Sequence, residues 1–391
     1  MIVYLLIFAL SFWAFSFAGN APLSDRKKKE KDVLIISMFF LAFFVGIADM
    51  LGGYDRYIYA ELFDNVADNI TYGRDVTESI IFEEYYGEKG YGWYNVIIGY
   101  ITQNRYIFIL ITTIVIYYLL YISLRDYCSN YPFAIIVFLG LWFFFTFTYL
   151  RQVLGATIAW LAIRYIVQRK LWKFLIVWFI AFKFHNSAAI FLPLYFIPIK
   201  KYNNRYIIGI MVVAFLLGLT GGPTALFAAY GEMNEERAGV VGNEVGFRIA
   251  YMLEAVFFLY IIISKYKEIP EKPINIVMLN MALAFCAILL FFVRNENGGR
   301  LSWYYMIGII STITYLCTQG KEVKRYSNLI MGICFFLYFR IVSMWGVLLS
   351  PYKTFFSSGI RQGDFIEQKY EYDHTYDDDK LYRPIFRFLG N

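Results

Sequence analysis

LWKFLIVWFIAFKFHNSAAIFLPLYFI, residues 171–197, decides how this chain crosses a membrane. Two almost wholly apolar runs, Leu171–Phe184 and Ala188–Ile197, meet at the polar trio His185, Asn186 and Ser187. Read as one helix reaching Ile199, the stretch would put Lys200, Lys201 and Arg205 outside and invert every later loop. Read as a hairpin turning at His185, it keeps those bases on the side where short basic connections belong. The later basic loops favour the hairpin.

Outward from that hairpin the same chemistry recurs. Of 391 residues, 59% are hydrophobic and 21% aromatic, while 17% are charged, more apolar surface than a soluble domain hides. A hydrocarbon core takes runs of about 17–25 apolar residues, and the chain reads as an all-α, polytopic integral membrane protein of about 12 transmembrane segments, some short or re-entrant. They run from Ile2–Ala18 and Val33–Leu51 through Tyr106–Leu124, Pro132–Leu150 and Val153–Val167 to the hairpin. Beyond it come Tyr206–Leu219, Arg248–Ser264, Ile274–Val293, Leu301–Cys317 and Tyr326–Trp345. A membrane β-barrel would instead alternate over segments of about ten residues.

Alternate connections are short and basic: Arg26–Lys31, Arg125–Tyr131, Arg169–Lys170, Lys200–Arg205, Lys265–Lys272 and Lys321–Arg325. The positive-inside rule makes them cytoplasmic. Residues 1–345 thus form the membrane domain, with residues 52–105 and 220–247 as outer-face loops in contact with substrate. Residues 346–391 form an outer-face tail, partly disordered through its Tyr- and Asp-rich stretch. The net charge of +6 reports orientation rather than a nucleic-acid partner. Ile2–Ala18 lacks a basic region ahead of it and reads as a retained first helix. Cys128, Cys286, Cys317 and Cys334 have neither disulfide nor metal spacing, and His374 in the tail lacks a second ligand cluster. No nucleotide-binding loop or internal repeat is visible.

Ionisable residues at membrane depth mark functional sites. His185 is one of two histidines, and Asn186 and Ser187 after it suit a helix start, which attracts anions. Arg151 with Gln152 falls at a tight turn between two apolar segments. Arg294 and Arg300 bracket Asn295-Glu296-Asn297-Gly298-Gly299, a spacing that suits a pyrophosphate. Arg248 opens a segment on the same outer face. The competing reading for each arginine is snorkelling to lipid headgroups, which fits Arg164, Lys183 and Arg340 better. Tyr54, Asp55 and Tyr57 place aromatics around an acid, as carbohydrate sites do, and Glu88 with Tyr91 has the same character. An aromatic belt with a solvated charge is the alternative there.

Tyr54-Asp55-Arg56-Tyr57, Glu88 with Gly90-Tyr91, Leu150-Arg151-Gln152, Phe184-His185-Asn186-Ser187-Ala188, Arg300 with Tyr304-Tyr305, and Pro351-Tyr352 occur in that order. The ordered set resembles the EpsG family of exopolysaccharide polymerases, related in role to O-antigen polymerases, from Tyr54 to Tyr352. Where that family often has Glu-Pro, this chain has Glu88-Lys89. The resemblance implies a GT-C-like fold in the bacterial inner membrane, with the site facing the periplasm or outside. It implies a growing glycan on undecaprenyl pyrophosphate as donor, a lipid-linked repeat as acceptor, a flippase and a chain-length regulator as partners, and no cofactor. Arg151, Arg294 and Arg300 would stabilise the diphosphate leaving group without a metal. His185 is the candidate base, with Asp55 or Glu88 competing, and Tyr304, Gln152, Tyr57 and Arg248 would bind substrate. The rival readings are a transporter or flippase of a lipid-linked glycan, a non-catalytic scaffold, and an O-antigen ligase.

Overall fold

Hydrocarbon offers no partner to a peptide group, so apolar runs of this length must satisfy their backbone internally. In the computed structural model, which describes residues 1–50, 55–226, 246–295, 298–319, 323–357 and 379–389, they do so as helices. Five of these are long and apolar enough to cross a membrane: Ile2–Gly19, Arg105–Tyr127, Leu150–Val167, Pro273–Phe291 and Arg325–Met344. Shorter apolar helices lie between them, among them Tyr131–Leu141 and Asn204–Leu219. Tyr54, residues 227–245 of the outer loop, and His374 with residues 358–378 of the tail lie outside the described residues. The chain divides into two compact units.

The first unit comprises Met1–Ile122, Tyr131–Leu154 and Leu329–Asn391. Helices Ile2–Gly19 and Leu23–Gly46 pack on each other and on Tyr131–Leu141. The second helix starts ten residues before the apolar run at Val33, because Pro22 precedes it and Arg26 donates to the Gly19 carbonyl, capping the first. Gly140 explains a close crossing, since a Cβ there would lie 2.6 Å from the Cys334 Cα. Tyr338 ties its helix to the first by donating to the Tyr4 carbonyl at 2.8 Å. On the segment read as outer, helix Arg56–Thr71 packs against Lys89–Gly99.

Arg56 departs from the carbohydrate reading of its motif. Fully buried, it donates from Nη2 to the carbonyls of Gly46 at 3.1 Å and Ala48 at 3.0 Å. It therefore closes the C-terminus of Leu23–Gly46, where carbonyls lack helical partners. Burial pulls its pKa down to about 10, with Asp49 opposing that shift, so it stays charged at neutral pH.

The second unit comprises Ser123–Asn130 and Gly155–Asn328. Pro273–Phe291 is its central helix and packs against Asn204–Leu219, Ile249–Ser264 and Met306–Thr318. The stretch from Leu171 doubles back. Helix Leu171–Phe184 ends at an extended His185, and Asn186–Phe196 returns beside it as a 3-10 helix. Phe174 packs on Phe191 and Tyr195, and the Trp178 indole donates to the Ala188 carbonyl at 2.8 Å. One continuous helix would carry those rings apart.

Two boundaries differ from the sequence expectation. Pro132–Leu150 breaks after Leu141, and a new helix begins at Leu150, so Arg151 and Gln152 occupy a first helical turn rather than an interhelical connection. Arg300 likewise lies on a 3-10 helix, Gly298–Tyr305, rather than at a loop edge, and the same helix carries Tyr304.

Candidate functional site

In the first unit, Arg151 is brought to residues the sequence placed far from it. Its guanidinium, 5% exposed, forms an ion pair with the Glu88 carboxylate, 3% exposed. Its Cζ lies 3.5 Å from the Tyr85 ring centroid, a cation–π contact in a desolvated setting. Glu88 ends the 3-10 turn Tyr86–Glu88 and immediately precedes helix Lys89–Gly99, where a helix N-terminus favours a carboxylate. Arg151 Nε has no hydrogen-bond partner among the described residues. One edge of a buried fork is thus anchored while another donor remains unspent.

Tyrosines surround that pair. The Tyr91 ring meets Tyr59 edge-on at 6.1 Å and Tyr85 at 6.0 Å. Burial pushes the Tyr59 phenol well up, with Asp55 adding to the rise and Arg151 opposing it. Burial also raises Tyr85 and Tyr91. All three stay neutral, as donors and stacking faces at physiological pH. Asp55 and Tyr59 stand one helical turn apart at the start of Arg56–Thr71, and Tyr57 is buried on the same helix. Asp55, Glu88, Tyr91 and Arg151, four residues singled out from sequence, therefore share one electrostatic neighbourhood. Gln152 is buried next to Arg151 in the chain.

In the second unit, His185 is 7% exposed and its ring is held at Nδ1. The Ser187 backbone N–H donates to Nδ1 at 3.2 Å, and Ser187 Oγ lies 2.6 Å from the same atom. Ser187 Oγ also lies 3.1 Å from the hydroxyl of Tyr304, itself fully buried. The Tyr304 carbonyl accepts from the Trp160 indole at 2.8 Å. Gly155 lets this group close up: a Cβ there would stand 3.1 Å from His185 Cβ and 3.2 Å from the Tyr304 hydroxyl.

Arg294 donates to the Leu219 carbonyl at 3.0 Å, which gives one of its nitrogens to a helix C-terminus. Asn295 caps the turn after it by accepting from the Gly298 N–H at 2.7 Å. The Arg248 N–H donates to the Val293 carbonyl, which ties the start of one segment to the end of another. Arg248, Arg294 and Arg300 are all half-buried. No group of three His, Cys, Asp or Glu that could hold a metal occurs among the described residues.

Sequence reasoning passed over Tyr59, Tyr85 and Gly155 as site residues. Tyr59 carried a signal, its spacing of four from Asp55 on a helix. Tyr85 carried none, because only the fold brings its ring to Arg151. Three described grooves, of about 380, 500 and 450 Å³, are walled mostly by carbon, the first by residues such as Phe39, Phe43 and Ile114, and none of the three holds a site residue. Compared with known proteins, residues 33–354 match the family model described as EpsG family. Neither a curated protein nor a solved structure gives a significant match.

Proposed function

The chain belongs to the EpsG family of exopolysaccharide polymerases, and from that membership we propose that it joins undecaprenyl-pyrophosphate-linked repeat units on the outer side of the bacterial inner membrane. A hydroxyl of the acceptor repeat attacks the anomeric carbon of the donor glycan. The bond from that carbon to the diphosphate oxygen breaks, undecaprenyl pyrophosphate leaves, and the hydroxyl proton passes to a base. The surrounding architecture is a GT-C-like frame of about 12 segments. Residues 52–105 and 220–247 contact substrate, and a flippase and a chain-length regulator work beside it.

The buried Arg151 carries the reading. Diphosphate is already a good leaving group, so the reaction mainly needs positive charge where negative charge develops. An arginine fixed by Glu88 and Tyr85, with Nε unspent, is preorganised for that task. Glu88 supports it as counter-ion, and Asp55 stands in the same electrostatic neighbourhood. Tyr57, Tyr59 and Tyr91, with Tyr54, offer ring faces to sugars, and Gln152 an amide. Arg248, Arg294 and Arg300 gather the diphosphate, and His185 with Tyr304 contacts the reacting groups. No metal is required by this arrangement.

Purified protein in detergent, given lipid-linked repeats, should yield ladders of longer glycans. Repeats that remain unextended, while the same protein moves them across vesicles, would establish the transporter reading instead. Transfer to a lipid A core acceptor alone would make the chain a ligase. Arg151→Ala should abolish elongation, and Arg151→Lys should restore little, since an ammonium lacks the planar fork.

A further inference from the structure

We propose that Arg387 is a positioning residue for the Arg151 site, stapling the C-terminal ends of the two helices whose N-terminal ends carry that site. The assignment rests on the polymerase reading above and adds to it a residue remote from the chemistry. Helices Arg56–Thr71 and Lys89–Gly99 run side by side in the same direction. Near their starts Tyr59 meets Tyr91 at 6.1 Å, and near their ends a Cβ on Gly99 would lie 2.7 Å from Ile70 Cδ1. Arg387 reaches both ends at once. Its Nε donates to the Gly99 carbonyl at 2.5 Å, its Nη2 to the Ala67 carbonyl at 2.9 Å, and its Nη1 to Thr71 Oγ1 at 3.0 Å. Its backbone N–H adds a bond to the Ile101 carbonyl at 3.1 Å.

Parallel helices set like poles against each other, so each end of the pair is steadied by charge of the opposite sign. The two N-cap places are held by Asp55 and Glu88, acids at the positive poles, and Arg387 supplies the cation at the negative ones. Glu88 in turn holds Arg151 by its ion pair. Residues 91 and 99 lie about 12 Å apart along the helix axis, so the second helix acts as a lever between staple and site. With the staple gone, its far end swings away from the first helix, and Glu88 moves relative to Asp55 and Tyr59. Arg151 moves with Glu88, and a small displacement of a preorganised cation is costly.

Two measurements test it on the full chain, with elution profile and melting temperature confirming folding. In the detergent elongation assay Arg387→Ala should lower kcat by about tenfold or more and leave KM for lipid-linked repeats within about twofold, because Arg151 acts on charge that develops only in the transition state. Arg387→Lys should fall between, since an ammonium lacks the planar fork that spans both helices. If Arg387→Ala does not fold, Arg387→Lys carries both measurements. Spin labels at Tyr72→Cys and Tyr100→Cys, exposed positions at the two helix ends, read the staple without turnover, because the four native cysteines are buried. Removing the Arg387 guanidinium should shift the label separation to longer distance. A kcat equal to the parent's, a loss confined to KM, or an unmoved label separation would overturn the assignment. A parent protein that never elongates glycan would instead sink the polymerase reading, while the label separation would still report the staple.

Discussion

Glu88 and Arg151, 63 residues apart in the chain, close an ion pair that is almost wholly withdrawn from solvent. Removing one member strands the other. Glu88→Ala should therefore lower stability by about 3–5 kcal/mol, seen as a large drop in melting temperature of the detergent-solubilised protein. The double variant Glu88→Ala, Arg151→Met should recover most of that loss, because no charge remains to be stranded, and should make no polymer. Full stability in Glu88→Ala alone would show that the pair is not buried as described.

Gly155 permits the approach of His185 and Tyr304, with room for a side chain only if one of them shifts. Gly155→Ala adds one methyl at 3.1 Å from His185 Cβ, a misfit that costs about 1–3 kcal/mol if the neighbours hold and moves the ring if they give. Elongation should fall by about tenfold or more while the protein still inserts, because small displacements of a preorganised group are costly. Unchanged chain length and rate in that variant would remove the packing constraint from the site.

How far sequence alone reached follows from these pairs. The hairpin was legible because two almost wholly apolar runs, each too short to cross comfortably alone, were split by His185-Asn186-Ser187 and followed by a basic loop. Asp55, Glu88 and Arg151 were legible as residue types because charge among apolar neighbours is costly and so rarely idle. Their pairing was not. A contact between positions 88 and 151 is a property of packing, with no local spacing to announce it. The same holds for Arg294, whose bond to the Leu219 carbonyl no local spacing announces. An unsatisfied helix end also attracts a guanidinium, and only packing decides whether it or an anion is near. The helix start at Leu150 was misplaced because Phe145–Tyr149 is as apolar as the helices around it, so hydropathy gave no break.

Asp64 joins the end of the chain to the segment read as outer. Its carboxylate accepts from Arg105 at 3.0 and 2.5 Å and from the Tyr382 hydroxyl at 3.0 and 3.1 Å, with Arg105 1% exposed. Arg383 reaches Asp68 at 3.0 Å, and Arg387 donates to the Gly99 carbonyl at 2.5 Å. Asp64→Ala should cost about 3–5 kcal/mol by stranding Arg105, whereas Tyr382→Phe should cost only about 0.5–1.5 kcal/mol. Limited proteolysis should cut after residue 378 faster in Asp64→Ala than in the parent. Equal cleavage would mean that residues 379–389 are held by other contacts.

Tyr59, Tyr85 and Tyr382 set an alkaline limit. Burial raises all three phenols above the ordinary value, with Asp55, Glu84 and Asp64 respectively adding to the rise and Arg151 or Arg105 opposing it. An unfolded tyrosine ionises near pH about 10. Above that pH the unfolded chain releases protons that the folded one keeps, so it binds fewer of them, and stability must fall as pH rises. Below it both states hold the proton and the three contribute no slope. Melting temperature should be flat with respect to these groups at neutral pH and decline above about pH 10, with part of the tyrosinate absorbance, that of the buried rings, appearing only as the fold is lost. Tyr382→Phe removes one of the titrating groups and should make that decline shallower. A parent whose tyrosines all ionise at the ordinary value while the protein stays folded would show that these rings are open to water.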